Sequence, residues 1–283
     1  MKTVFCSLTI AALLPFSGYS APADVSAGEK AWQRQDYFTA LKEFLPLAKE
    51  GNPEAQFRVG FIYGQGKTPN YAEAVKWFNL AAQKGHPNAE FNLGQMYSFG
   101  QGVPKNVTEA LRWYRIAAQH GFADAQFRLG VAYEEGTGVT RDFAQAAKLY
   151  RLSATNPIPG QGRAAAEFSL AVLYHEGRGV SKDWKEAARW FELAADRGYP
   201  EAQYNIGWMY YVPEGVEENF AKAYAWMSLA GRSAAHTESI VNLPEASIAG
   251  KARETCAELA TKMTPAQLAE AQRMIKAWKP KTN

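Results

Sequence analysis

The chain has 283 residues, enough for one or two domains and a sizeable core. Its 8 Trp, 14 Tyr and 15 Phe exclude a largely solvated coil, and its 2 cysteines exclude a disulfide-dense scaffold. With 31 Lys+Arg against 28 Asp+Glu the net charge is +3, which excludes the strongly basic face of a nucleic-acid binder.

Reading from the start, Lys2 is the sole charge before Asp24, and the stretch Thr3 to Phe16 between them is mostly apolar. That run is shorter than the roughly 20 residues a membrane span needs. Small residues follow it: Ser17, Gly18, Ser20, Ala21 and Ala23. This is the layout of a secretory signal peptide over residues 1–20, with cleavage expected after Ser20 or after Ala23. Cys6 leaves with it, so Cys256 remains as a lone thiol, to be either a small buried hydrophobe or an intermolecular disulfide partner. No transmembrane segment is expected in the mature chain, which is placed in the periplasm or outside the cell.

The rest of the chain repeats. Five copies align on Ala55, Ala89, Ala125, Ala166 and Ala202, at intervals of 34, 36, 41 and 36 residues. With that Ala as position zero, position four is Val59, Leu93, Leu129, Leu170 and Ile206. Position five is Gly60, Gly94, Gly130, Ala171 and Gly207, and position eight is a tyrosine in every copy, from Tyr63 to Tyr210. A Gly-rich turn follows, such as Gly100-Gln101-Gly102 and Gly177-Arg178-Gly179, then a second apolar run carrying Trp77, Trp113, Leu149, Trp190 or Trp226.

Positions zero, four, seven and eight share one face of a 3.6-residue helix. The small residue at position five admits a close neighbour, and the paired glycines suit a turn with positive φ. Each unit therefore reads as helix, turn, helix. One pair cannot bury its apolar face alone, but stacked pairs can. A buried ring hides about 150–250 Å², a gross stabilisation of about 4–6 kcal/mol at about 25 cal/mol per Å², so the aromatic series is assigned to the core.

The pattern A-x-x-x-L-G-x-x-Y, G-x-G-V and A-x-x-W-x-x-x-A-A-x-x-G resembles the Sel-one-like repeat family, itself related to tetratricopeptide repeats. The likeness covers roughly residues 53 to 231. It implies an all-α fold, an α/α superhelical solenoid of about five helix-turn-helix repeats, and an adaptor role toward other proteins. The organisation expected is a partial leading repeat over 24–52 (Ala40, Phe44 and Ala48 keep the second-helix spacing), the solenoid over 53–233, and C-terminal capping helices over 234–283. The cap begins with a polar stretch near His236 to Pro244 and contains a helix over Ile248–Lys262. It ends in Thr264-Pro265-Ala266-Gln267, which reads as a capping-box helix start. Pro213 departs from the pattern, standing where other copies have Gly.

Catalytic patterns are missing from the sequence. It has no Ser followed three residues later by Lys, no G-x-S-x-G, no H-E-x-x-H and no G-x-G-x-x-G. His86, His120, His175 and His236 read as surface loop residues, adjacent His175-Glu176 point apart on a helix, and Asn106-Val107-Thr108 matches an N-glycosylation acceptor. The expectation is a non-catalytic protein without cofactor or metal, binding another protein or peptide of the cell envelope and no nucleic acid. Two other readings stay open: a cell-wall protein acting on peptidoglycan or β-lactams, and a secreted factor directed at a host. Penicillin binding is attributed in the family to members with a disulfide in each repeat, and those cysteines are lacking here.

Partner contacts belong at positions the repeat does not dictate. Positions three, six and ten fall together on a helical wheel, and the resemblance places first helices on a concave face. The candidate groove is Arg58, Phe61, Phe99, Arg128, Val172 and Trp208, expected as an exposed aromatic track flanked by arginines.

Overall fold

The computed structural model describes residues 26–65, 68–158, 160, 162–238 and 247–281. The segment read as a signal peptide, with Cys6, and most of the polar stretch before Pro244 lie outside the described residues. Fourteen helices and no strand occur among the described residues. The chain divides into two compact units, before and after the junction of Ile116 and Ala117.

The first unit holds α1 (Ser26–Gln33), α2 (Tyr37–Lys49), α3 (Pro53–Gly64), α4 (Tyr71–Ala82), α5 (Pro87–Phe99) and α6 (Val107–Gln119) as far as Ile116. The second holds α7 (Ala123–Glu135), α8 (Phe143–Ala154), α9 (Arg163–Glu176), α10 (Trp184–Asp196), α11 (Pro200–Tyr211), α12 (Phe220–Glu238), α13 (Ile248–Lys262) and α14 (Pro265–Ala277). Within each unit neighbouring helices pack in pairs in the manner of a repeat solenoid, with α13 and α14 both packed on α12. Pro53, Pro87, Pro200 and Pro265 each stand at the first helical residue, where the missing N–H costs nothing.

The packing follows the repeat. Position zero is fully buried in every copy. Position five receives a side chain of the paired second helix: a ring at Gly60, Gly94 and Gly130, and Met227 at Gly207. A Cβ built on Gly130 would sit 2.6 Å from Tyr150 Cε1, and one on Gly60 would sit 2.8 Å from Phe78 Cδ1. Tyr150 and Phe78 are fully buried as a result. Gly28 of α1 meets the ring of Phe44 the same way, so α1 and α2 form a pair built like the others.

Two recurrent polar locks tie the helices together, one within each pair and one, in three copies, to the preceding pair. The backbone N–H of Asn70, Asn106, Asp142, Asp183 and Asn219 donates to the carbonyl of the position-eight tyrosine, at 2.8–3.0 Å. The side chain of the same residue caps the second helix, as Asp183 Oδ1 accepts from Lys185 and Glu186 N–H at 3.0 Å. Asn106, the glycosylation-like asparagine, is one of these caps and accepts from Glu109 N–H at 3.1 Å. In the other lock, Gln56, Gln126 and Gln203 at position one donate to the Ala48, Ala118 and Ala195 carbonyls, where helical C=O groups lack intrahelical partners.

Pro213 ends α11 at Tyr211, one residue earlier than the matching end of α5 at Phe99. Gly215 then takes φ +77 and rests on the Trp184 backbone, as Gly179 (φ +70) rests on Phe143. At the C-terminal end the capping box is present: Gln267 N–H donates to Thr264 Oγ1 at 3.3 Å, and Thr264 N–H donates to Gln267 Oε1 at 2.8 Å.

Gly130→Ala tests the ring seat. Alanine ordinarily stabilises a helix interior by about 1 kcal/mol over glycine. Here overpacking against Tyr150 reverses the sign, with an expected loss of about 1–3 kcal/mol in urea unfolding. A gain in stability would show that the ring can retreat.

Candidate functional site

The six predicted groove residues fall in both units and take different roles. In the first unit Arg58 and Phe61 are 8% and 3% exposed, not the open track expected from the helical wheel. The reason is Trp32 on α1. Its ring lies 4.8 Å from the Phe61 ring, and the Arg58 guanidinium stacks over it at 4.4 Å. Arg58 also pairs with Glu29 at 3.2 Å and Glu54 at 2.6 Å. Phe99 is 52% exposed in the same unit.

His86 is likewise corrected from a surface loop residue to a buried cap. Its Nδ1 accepts from Ala89 N–H at 3.4 Å, so Nε2 carries the proton and donates to Glu54 Oε2 at 2.9 Å. Its ring stacks on Phe57. Burial opposes the Glu54 charge, but the His86 hydrogen bond and Arg58 outweigh it and hold this carboxyl below the usual range. Burial wins at Glu29, whose carboxyl is pushed up despite Arg58.

In the second unit the stripe is open. Arg128 is exposed, Val172 is half-buried, and Trp208 on α11 is 39% exposed. Val212, one turn beyond Trp208, is 38% exposed. Trp208 packs edge-on against Tyr211, whose hydroxyl donates to Glu258 Oε1 of α13 at 2.5 Å. Among the described residues no carboxylate lies within ion-pair distance of Arg128. His175 faces Glu214 at 3.2 Å rather than its neighbour Glu176.

On the same stripe, a cavity of about 470 Å³ opens between α7 and α9. Val131, Glu135 and Ser169 line it from positions six, ten and three, with Phe143, Arg141 and Arg178. Arg178 stacks over the Phe143 ring at 4.9 Å and reaches Glu134 at 3.5 Å. Glu134 accepts from the Tyr150 hydroxyl at 2.6 Å. Burial, and then this carboxylate, push the Tyr150 hydroxyl well above its ordinary range, so it stays a protonated donor.

Two features escaped the sequence reading. The wheel could not show that a neighbouring helix covers Arg58 and Phe61. The cavity depends on Phe143, Arg141 and Arg178, which lie outside the first-helix stripe. Cys256 is partly buried against Ser228 Oγ at 3.5 Å and the Tyr224 carbonyl at 3.8 Å of α12, and burial pushes its thiol up. That geometry favours the packed hydrophobe over a surface disulfide. Among the described residues no group of three or more His, Cys, Asp or Glu could hold a metal ion, and no helix is long and apolar enough to cross a membrane.

Stacked helix pairs with this spacing define a class of α/α repeat proteins. The Sel1 repeat pattern matches residues 53–86, 87–122, 123–157, 164–199 and 200–233, and the chain belongs to the Sel1 repeat family. Sel1 repeat proteins are generally scaffolds for protein–protein interaction and typically non-catalytic. A Sel1 repeat protein from Oxalobacter formigenes is 25% identical, with a TM-score of 0.70, covering 93% of this chain and 100% of its own. A protective antigen of uropathogenic Escherichia coli displaying an SLR fold is 24% identical over 90% of this chain and 68% of its own, with a TM-score of 0.36. A sel1 repeat protein from Klebsiella pneumoniae is 19% identical over 78% of this chain and 99% of its own, with a TM-score of 0.45. No curated protein matches.

The Glu54 network makes a pH-dependent prediction. Because its carboxyl is lowered, the stability it contributes is present above the usual carboxylate range and lost as pH falls through it. Glu54→Gln is expected to cost about 1–3 kcal/mol at neutral pH. The gap to wild type should begin to narrow as pH falls below the ordinary glutamate value of about 4.3 and close only below the lowered native one, where the folded-state carboxyl is itself protonated. Urea unfolding at both pH values checks this, and an equal gap at both would refute it.

Proposed function

We propose that this protein is a non-catalytic adaptor of the bacterial cell envelope or a secreted one, and that it docks another protein on the open first-helix stripe of its second unit. The observation that carries the reading is the exposure of Trp208 on α11 and of Val212 just beyond it, in a repeat family of interaction scaffolds. A tryptophan and an arginine such as Arg128 are the side-chain types that dominate interface energies. The envelope location rests on Lys2, the apolar run Thr3 to Phe16 and the small residues after it.

Crosslinking and pull-down from intact cells with tagged protein tests the site. Trp208→Ala is expected to lose a stoichiometric partner while the thermal midpoint stays put. Phe61→Ala, expected to cost about 3–5 kcal/mol as a buried ring, is the control for indirect loss through unfolding. Capture unchanged by Trp208→Ala would reject this surface. Recovery of peptidoglycan fragments alone would favour the cell-wall reading instead.

The location has its own check. The mature N-terminus, sequenced from the periplasmic or culture fraction, is expected at Ala21 or Asp24. Full-length protein confined to the cytoplasm would reject the export step.

A further inference from the structure

The chain contains its own example of what fills the space between successive first helices. Gly28 of α1 and Gly130 of α7 both seat the ring of their paired second helix, Phe44 and Tyr150, so the two helices can be compared residue by residue. Four residues beyond each glycine stand Trp32 and Glu134. On the following first helix, Arg58 and Phe61 of α3 correspond to Ser169 and Val172 of α9. Between α1 and α3, the Trp32 indole lies under the Arg58 guanidinium and against Phe61, and Glu29, three residues before Trp32, pairs with Arg58. Between α7 and α9 the three counterparts, Glu134, Ser169 and Val172, are all smaller, and a cavity of about 470 Å³ lined by Glu134 and Ser169 stands there.

The cavity keeps the chemistry while lacking the indole. It has an aromatic ring, Phe143, with the Arg178 guanidinium over it at 4.9 Å. It also has a cation available for a carboxylate. Arg141 is exposed, its hydrogen bond goes to the Glu135 carbonyl at 3.3 Å, and among the described residues no carboxylate lies within ion-pair distance of it.

We infer that the α7–α9 cavity receives an aromatic side chain of a partner protein, presented on a helix with an acidic residue three positions earlier, in the arrangement that Glu29 and Trp32 show within the chain itself. This deepens the adaptor reading and rests on it. The ring enters beside Phe143 and Arg178, and the partner carboxylate pairs with Arg141. Cation–π and aromatic contacts of this kind gain when partly desolvated, as a ring laid against Phe143 and Arg178 would be.

The test uses the full chain and a dye-labelled, Ala-rich helical peptide of about 16 residues carrying Glu and Trp three apart, long enough to hold a helix. Fluorescence anisotropy is expected to show saturable binding. Replacing the peptide Trp by Ala should weaken it at least about tenfold, as expected for a central aromatic anchor. Glu134→Trp places an indole where α1 has one and should abolish binding. Should Glu134→Trp fail to fold, exposed Arg141→Ala is the second variant and should weaken the Glu-bearing peptide but not its Gln counterpart. No saturable binding, or binding indifferent to these variants, overturns the proposal. N-acetyltryptophanamide binding as tightly as the peptide also overturns it, in favour of a pocket for a free aromatic compound. Partner capture that depends on Trp208 is unaffected by any of these outcomes, so the adaptor reading and this one fail separately.

Discussion

The structure depends on one contact repeated along the chain: a side chain of the second helix seated in a notch of the first. Where position five is glycine, the Tyr150 ring approaches the α7 backbone more closely than a Cβ would allow. That approach fixes the distance between paired helices and buries the ring completely. The other devices hold this pairing in place. The position-one glutamines satisfy carbonyls at the end of the preceding helix, and the Asn or Asp caps tie the next helix to the tyrosine carbonyl. The polar groups are thus spent on backbone groups that helix ends leave unpaired.

This division explains what could be read from sequence. Positions zero, four, five and eight are set by contacts within a pair, so their period appears directly in the residues. Exposure at positions three and six is set by the neighbouring first helix, whose covering residue obeys no repeat. Arg58 and Phe61 were therefore legible as variable but not as buried, since Trp32 lies on a helix before the first aligned copy. Trp208 stayed exposed at position six of α11. His86 misled for another reason. It stands just before Pro87, where the helix needs a cap, and imidazole fills the place that Asn52 fills before Pro53. The recurring Asn or Asp ahead of each second helix carried a readable signal, because its spacing to the tyrosine is constant in four of the five copies.

The same division locates function. Residues bound to the repeat are committed to packing. Those freed from it cluster on the first helices of the second unit: Arg128, without an ion-pair partner among the described residues, Trp208, partly in solvent, and a cavity where Glu134 and Ser169 stand in place of an indole and an arginine. A scaffold of this type acquires a binding surface by changing side chains that contribute little to its own stability. That separates recognition from folding more cleanly than in a protein with a single core.

The tyrosine-carbonyl lock has one more consequence. Both of its partners are backbone atoms, so it does not register what lies between them. The first connection is two residues shorter than the next, yet Asn70 N–H still reaches the Tyr63 carbonyl at 2.8 Å, against 2.9 Å for Asn106 to Tyr97. The first connection therefore behaves as a splice junction, since it lacks two residues without losing the clasp. The length of chain between the clasped atoms can change there without re-registering the helices on either side, which gives evolution and the protein engineer the same point of entry.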